Sequence, residues 1–169
     1  INNADFLAAL IEYKKLLEES KQGDKPRPRI PNYIGECFLK IANNLAKRPN
    51  FCMYTYKDEM VSDAIENCIM YFESFNPDKS KNPFAYFTQI CWNAFVRRIA
   101  KEKKQQYVKY KATENFGILD EEELLELDDG TVNQIQIYDN LYEFIEKYEN
   151  EIKEKKVASK KNKGIENFL

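Results

Sequence analysis

The residues with the most chemical content lie on or beside one face of a single predicted helix. At helical spacing this region carries an aromatic ring, two amides and then several cations. Aromatic rings stack on unpaired bases, amides suit the edges of adenine, and Arg or Lys suits phosphate and guanine. The pattern therefore fits contact with nucleic acid, while a polar outer face above a packed core is the alternative. The candidate nucleic-acid-binding residues are Tyr86, Gln89, Trp92, Asn93, Arg97, Arg98, Lys101 and Lys104.

The helix that must position these residues is expected to begin at Asn82-Pro83. Proline is favoured in the first turn of a helix, and Asn76-Pro77 ends the preceding pattern because a residue before proline avoids the helical region. No Gly or Pro follows until Gly117. The opposite face should be buried, and its apolar residues are Phe84, Phe87, Cys91, Ala94, Phe95 and Ile99.

Three earlier stretches also have apolar residues at helical spacing, and they predict helices over residues 3–20, 33–48 and 59–75. The fold class is all-α, because apolar stripes of this size must bury one another in a helical bundle. Residues 21–31 hold one Gly and three Pro and are interpreted as a linker or an extended arm. The predicted shared core consists of Phe38, Leu45, Ile65, Ile69, Phe72, Phe87, Cys91 and Phe95.

Charge is segregated along the chain although its net charge is only −2. Residues 97–111 contain seven cations and one Glu, whereas residues 114–129 contain eight acids and no cation. The acidic stretch is interpreted as a linker, with packing on the basic helix or on a partner as the alternative. The predicted organisation is a helical domain over 1–111, an acidic linker over 112–131, a C-terminal helix over 132–157 and a flexible lysine-rich tail over 158–169.

Composition argues against several functions. The chain has no His, no phosphate-binding glycine loop and no nucleophile–base pair, so we expect neither an enzyme nor a cofactor. Its four Cys are far apart in sequence, which favours reduced, buried thiols over a zinc site. No stretch approaches 18 consecutive apolar residues, and no secretory signal is visible, so no membrane association is expected.

Two segments carry a resemblance to a known family. The segment Glu59-Met60-Val61-Ser62-Asp63-Ala64, ending at Phe75-Asn76, resembles the polymerase-binding helix in region 2 of bacterial sigma factors. Phe84-Ala85-Tyr86, Asn93-Ala94-Phe95 and Arg97 resemble the promoter-melting and promoter-reading helix of the same region. In detail, residues 82–99 are most similar to the late-transcription sigma factors of T-even-type bacteriophages.

The resemblance implies a sigma-region-2 helical bundle that starts transcription in the cytoplasm of an infected bacterium. It implies binding to host core RNA polymerase, at the clamp helices of its largest subunit, through Glu59, Ser62, Asp63 and Glu66. The second helix would read and help to melt a short A/T-rich promoter element in the DNA. Tyr86 would stack at the first flipped base, Asn93 would read the upstream edge, and Arg97 and Lys101 would hold phosphates.

The chain also departs from the primary sigma pattern. Gln89 and Ile90 stand where that pattern has two tryptophans that wedge the duplex apart, and Trp92 lies on another side of the helix. No second DNA-reading module follows, which fits help from a late co-activator and a phage sliding clamp. In the late sigma factors the C-terminal end binds that clamp, which implies clamp-binding roles for Ile165, Phe168 and Leu169.

A rival interpretation is a helical adaptor, such as an anti-sigma-like protein, that binds polymerase without reading DNA. Such a protein would use the same polymerase-facing helix. It would not need the aromatic ring and amides of the Tyr86 to Lys101 face.

Overall fold

The described part of the chain is all-helical, as the sequence predicts. The computed structural model describes the backbone of residues 1–23, 26–115 and 131–166, and the side chains of residues 1–23, 26–114 and 139–158. Its elements in order are α1 (Asn3–Gln22), α2 (Asn32–Ala46), α3 (Pro49–Cys52), α4 (Lys57–Met70), a 3-10 turn (Phe72–Ser74), α5 (Pro83–Asn115) and α6 (Thr131–Glu166).

The chain divides into two units, Ile1–Ala100 and Lys101–Leu169. The predicted first domain, residues 1–111, extends eleven residues beyond Ala100, where the first unit ends. The difference arises because α5 is one continuous helix that contributes its first part to the first unit and its last part to the second. The sequence shows where a helix can continue, but not where its packing partners change.

The core of the first unit is organised around the ring of Phe87. Its centroid lies 4.7 Å from that of Phe38, 5.7 Å from that of Phe6 and 5.8 Å from that of Phe75, separations typical of aromatic pairs, and the rings are tilted against one another. All four rings are buried, and they join α1, α2, the segment after the 3-10 turn, and α5. One residue of α5 thus anchors the helix that carries the candidate site.

Six of the eight predicted core residues are buried, and Phe84, on the predicted buried face of α5, is exposed. The buried residues include Phe38, Leu45, Phe72, Phe87, Cys91 and Phe95. By contrast, Phe84 is 44% exposed on α5 and Ile69 is 39% exposed on α4, while Ile65 is only partly buried. The prediction was wrong for Phe84 and Ile69 because helical spacing shows which residues share a stripe, but not how wide a strip the neighbours cover.

The start of α5 is held by side chains from two places in the chain. Asn82 accepts a hydrogen bond from the backbone N–H of Ala85 at 3.1 Å, which satisfies one of the free donors in the first turn. Asn3, at the start of α1, accepts from the N–H of Phe84 at 3.2 Å and donates to the carbonyl of Lys81 at 3.3 Å. These bonds fix the point from which α5 presents Tyr86.

Residues 26–31 form an extended arm that lies on α1. The hydroxyl of Tyr13 donates to the carbonyl of Pro28 at 2.8 Å, and Ser20 donates to the carbonyl of Pro26 at 3.1 Å. Residues 21–31 were interpreted as a linker or an extended arm. Residues 26–31 form the extended arm, whereas Lys21 and Gln22 are the last residues of α1.

Three of the four cysteines are buried, as predicted, and Cys52 is exposed. The Sγ atoms of Cys68 and Cys91 lie 3.5 Å apart between α4 and α5. This contact, together with burial, raises the pKa of the Cys68 thiol far above its usual range, so the thiol stays neutral. Among the described residues, no cluster of three or more His, Cys, Asp or Glu side chains could hold a metal ion.

The second unit pairs the last part of α5 with α6. The rings of Tyr107 and Tyr148 stack with centroids 4.6 Å apart, and Leu141 and Ile145 of α6 are buried against Tyr107 and Tyr110. The hydroxyl of Tyr107 donates to Glu149 at 2.9 Å. This small aromatic and polar contact holds the two helices together.

Helix α6 is longer than the predicted helix over 132–157, because it continues to Glu166. The predicted tail over 158–169 therefore overlaps α6 as far as Glu166. The predicted acidic linker begins inside α5, since residues 112–115 are helical, and the rest of it, apart from Thr131, lies outside the described residues. None of the helices that the structure describes has an apolar run long enough to cross a bilayer.

Candidate nucleic-acid interface

Four of the predicted DNA-binding residues line one surface depression on the first unit. The depression has a volume of about 300 Å³. Tyr86, Gln89, Asn93 and Arg97 each occupy one turn of α5, so their spacing of three or four aligns them along one side of the helix. Two residues that sequence reasoning did not select, Tyr71 and Ile90, complete the lining.

Tyr86 is half-buried rather than fully exposed. Its ring lies 5.1 Å from that of Phe75 and 5.2 Å from that of Phe87, measured between centroids. Packing of this kind fixes the plane of the ring and limits its rotamers. Tyr86 is thus a rigid aromatic wall that also supports the core, so its removal has a structural cost that the sequence did not indicate.

The two amides on α5 are hydrogen-bonded to each other. The amide nitrogen of Gln89 donates to the side-chain oxygen of Asn93 at 3.1 Å. In this arrangement the oxygen of Gln89 remains an acceptor and the nitrogen of Asn93 remains a donor. A donor beside an acceptor matches the adenine edge, which offers one acceptor ring nitrogen and one amino group.

Arg97 closes the depression and is anchored from α4. Its Nη2 donates to the side-chain oxygen of Asn67 at 2.7 Å, and Asn67 in turn donates to the backbone carbonyl of Asp63 at 2.6 Å. Sequence reasoning did not select Asn67. The spacing of four between Asp63, Asn67 and Tyr71 shows that these residues form one row at helical spacing. It does not show which helix that row faces.

Arg98 and Asp63 bind each other, a contact that the sequence did not predict. Arg98 donates from Nη2 to Oδ1 of Asp63 at 2.9 Å, and its Nε lies 2.7 Å from Oδ2. Their side chains are only 17% and 32% exposed. The first was predicted to contact DNA and the second polymerase, but together they form a bridge between α5 and α4.

Trp92 packs at the edge of the core and does not line the depression. Its ring meets that of Phe51 edge-on with centroids 4.9 Å apart, and it is partly buried. Because Trp92 is only partly buried, its predicted contact with DNA stays a prediction. A flank position on the helical wheel did not show that α3 would cover it.

The last two predicted cations, Lys101 and Lys104, are exposed and belong to the second unit. They continue along α5 at helical spacing from Arg97. Both remain candidates for phosphate contact as predicted from the sequence.

The predicted polymerase-binding residues Glu59, Ser62 and Glu66 are exposed on α4. Beside them lies an open groove of about 410 Å³. Exposed Met70 and Ile69 form part of its wall, so the surface combines acids with apolar side chains. Sequence reasoning assigned Ile69 to the core and did not select Met70. The groove lining is Ser62, Ile65, Glu66, Ile69 and Met70.

The predicted clamp-binding residues are not placed by the structure. Ile165 lies in the last turn of α6, where only the backbone is described. Phe168 and Leu169 lie outside the described residues.

No protein-family model matches this chain, and no curated protein matches it significantly.

Proposed function

We propose that this protein is a transcription initiation factor of the phage late sigma type. It would bind bacterial core RNA polymerase through α4 and hold the unpaired strand of an A/T-rich promoter element on α5. A late co-activator and a sliding clamp would complete the assembly. Its role would be binding rather than catalysis.

The observation that carries this proposal is the shared depression of Tyr86, Gln89, Asn93 and Arg97. The ring of Tyr86 can stack on a base, and the paired amides of Gln89 and Asn93 can bond to a base edge. The guanidinium of Arg97 can contact a phosphate from the same helical face. A solvated helix face does not need an aromatic wall supported by two core rings. The resemblance of residues 82–99 to sigma factors adds the expectation that the strand is promoter DNA.

The α4 surface supports the polymerase part of the proposal. Glu59, Ser62 and Glu66 are exposed beside an apolar groove, and a polar rim around apolar contacts is typical of a protein-binding surface. The α4 surface lies on a different helix from the depression on α5, so polymerase and DNA would each have their own helix.

Paired substitutions of Tyr86 test the DNA part. In Tyr86→Phe the ring is retained, whereas Tyr86→Leu removes the stacking surface but keeps much of the apolar volume between Phe75 and Phe87. Because stacking contributes ~1–3 kcal/mol per base, Tyr86→Leu should lower open-complex formation roughly tenfold, and Tyr86→Phe should leave it near the wild-type level. Permanganate reactivity of promoter thymines, measured with bacterial core polymerase, reports the open complex.

Asn93→Ala should reduce opening without changing the affinity for core polymerase, because it removes the base-edge contact and the hydrogen bond from Gln89, both on α5. Asn43→Ala, an exposed amide on α2, is the matched control and should change neither quantity. Equal permanganate reactivity in the wild-type, Tyr86→Leu and Asn93→Ala proteins, with normal binding to polymerase, would favour the adaptor without DNA readout.

A further inference from the structure

Two rows of polar side chains meet between α4 and α5. On α4, Asp63 and Asn67 are one turn apart, and on α5 Arg97 and Arg98 face them. Arg98 contacts both oxygens of the Asp63 carboxylate, and Arg97 donates a hydrogen bond to the uncharged side-chain oxygen of Asn67. The two arginines are adjacent in sequence but have partners of different charge.

We infer that Asn67 is a positioning residue for Arg97. It holds the guanidinium at the edge of the depression without neutralising it, so that the cation remains available for a phosphate of the bound strand. This inference rests on the proposed function. It adds that helix α4, the proposed polymerase-binding element, also sets the orientation of a DNA-contacting group on α5.

The orientation of the Asn67 amide is itself fixed. Its nitrogen donates to the backbone carbonyl of Asp63 at 2.6 Å, which turns the oxygen toward Arg97. A guanidinium carries five N–H donors in a planar fork, and Asn67 accepts from one of the two terminal nitrogens. The other N–H groups of Arg97 do not take part in this bond and can donate to phosphate oxygens.

The property of Asn67 that matters for this role is that its side chain is uncharged. Arg97 is exposed, and a long exposed side chain samples many rotamers unless a partner restricts it. A carboxylate at position 67 would restrict it equally well but would compete with phosphate for the same cation. An amide restricts the rotamers and leaves the positive charge uncompensated.

The test measures affinity for fork-junction DNA with an A/T-rich single-stranded segment, using the full chain bound to bacterial core polymerase. Asn67→Ala should weaken binding about fivefold, the effect expected for losing one positioning hydrogen bond. Asn67→Asp should weaken it further although it keeps the acceptor oxygen, because it neutralises Arg97. Asn43→Ala should have no effect.

A double-mutant cycle distinguishes positioning from a general loss of structure. In an Arg97→Ala background, Asn67→Ala should cause no additional loss, because the group that it positions is absent. Fully additive losses, or an Asn67→Asp variant that binds DNA as well as the wild type, would overturn the inference. If Arg97→Ala binds DNA normally and keeps the full salt dependence, the phosphate role of Arg97 in the proposed function falls, and this inference falls with it.

Discussion

Asp63 shows how a contact between helices changes the meaning of a single residue. On α4 alone it is one of several acids beside an apolar stripe, and it resembles the acids through which sigma factors bind polymerase. In the structure it receives both contacts from Arg98 and is 32% exposed. Glu59, one turn earlier on α4, is exposed. The two acids therefore require different interpretations.

We expect charge reversal at these two acids to have different effects. Asp63→Lys leaves the largely buried Arg98 beside a second cation and should lower the free energy of unfolding by ~1–3 kcal/mol, less than for a fully buried pair. Glu59→Lys alters an exposed residue, so it should change the free energy of unfolding by no more than about 0.5 kcal/mol. It should weaken binding to core polymerase.

Urea unfolding and a polymerase pull-down measure the two effects separately. Ser74→Lys is a control for adding a cation at an exposed position outside α4. The assignment of Asp63 to a structural ion pair fails if Asp63→Lys is no less stable than Glu59→Lys.

At the scale of elements, the pairing of α5 with α6 depends on a small set of contacts. Only Leu141 and Ile145 are buried there among the described residues, and the remaining contacts are aromatic stacking and a polar group around Glu149. The hydrogen bond from Tyr107, and then Lys111 at 3.4 Å, holds the pKa of Glu149 below its usual value. With so little apolar burial, the charge state of this carboxyl influences the pairing.

The helix pair should therefore loosen on acidification. A carboxyl whose pKa is lower in the folded than in the unfolded state contributes stability above its ordinary pKa near 4.5, and that contribution is lost as the pH falls through the lower folded value. Amide hydrogen exchange in α6 should accelerate as the pH falls below about 4.5, relative to the intrinsic exchange rate.

Glu149→Gln keeps an acceptor for Tyr107 but does not titrate, so its exchange protection should be weaker and nearly independent of pH in this range. Glu146→Gln, at an exposed position one turn earlier on α6, should behave like the wild type. A wild-type protein whose α6 protection is unchanged across this pH range would contradict the role assigned to Glu149.

At the scale of the whole molecule, the chain is divided into a unit that carries both candidate surfaces and a unit made from α6 and the last part of α5. The depression and the α4 groove both lie within Ile1–Ala100. The second unit contains the exposed cations Lys101 and Lys104 of α5 and the C-terminal segment that resembles a clamp-binding end. Polymerase and promoter contacts of the first unit should thus be separable from clamp coupling.

Deletion of residues 165–169 should leave clamp-independent transcription nearly unchanged and remove stimulation by a sliding clamp. Phe168→Ala combined with Leu169→Ala should do the same, because apolar anchors supply most of the energy of a small docking peptide. A run-off transcription assay with and without the clamp measures both quantities.

Val157→Ala is the control, since it removes an exposed apolar side chain from α6 outside the docking segment. Clamp stimulation that survives the deletion, or basal transcription that fails with it, would show that the C-terminal segment has another role.

The sequence by itself determined the helical class and most of the elements. Apolar residues at helical spacing, with proline at the boundaries, were sufficient because those signals are local. They located α1, α2, α4 and the start of α5 within a few residues, and they identified six of eight core positions as buried. They also placed Tyr86, Gln89, Asn93 and Arg97 along one face, since a spacing of three or four residues fixes relative direction on a helix.

Only the tertiary structure decided which neighbour each face meets. Trp92, Arg98 and Asp63 were all assigned to binding surfaces from the sequence. In the structure Phe51 packs against Trp92, and Arg98 pairs with Asp63. Asn67 gained its contact with Arg97 in the same way. These contacts join residues up to 41 positions apart, and periodicity within one helix contains no information about the rotation of another helix against it.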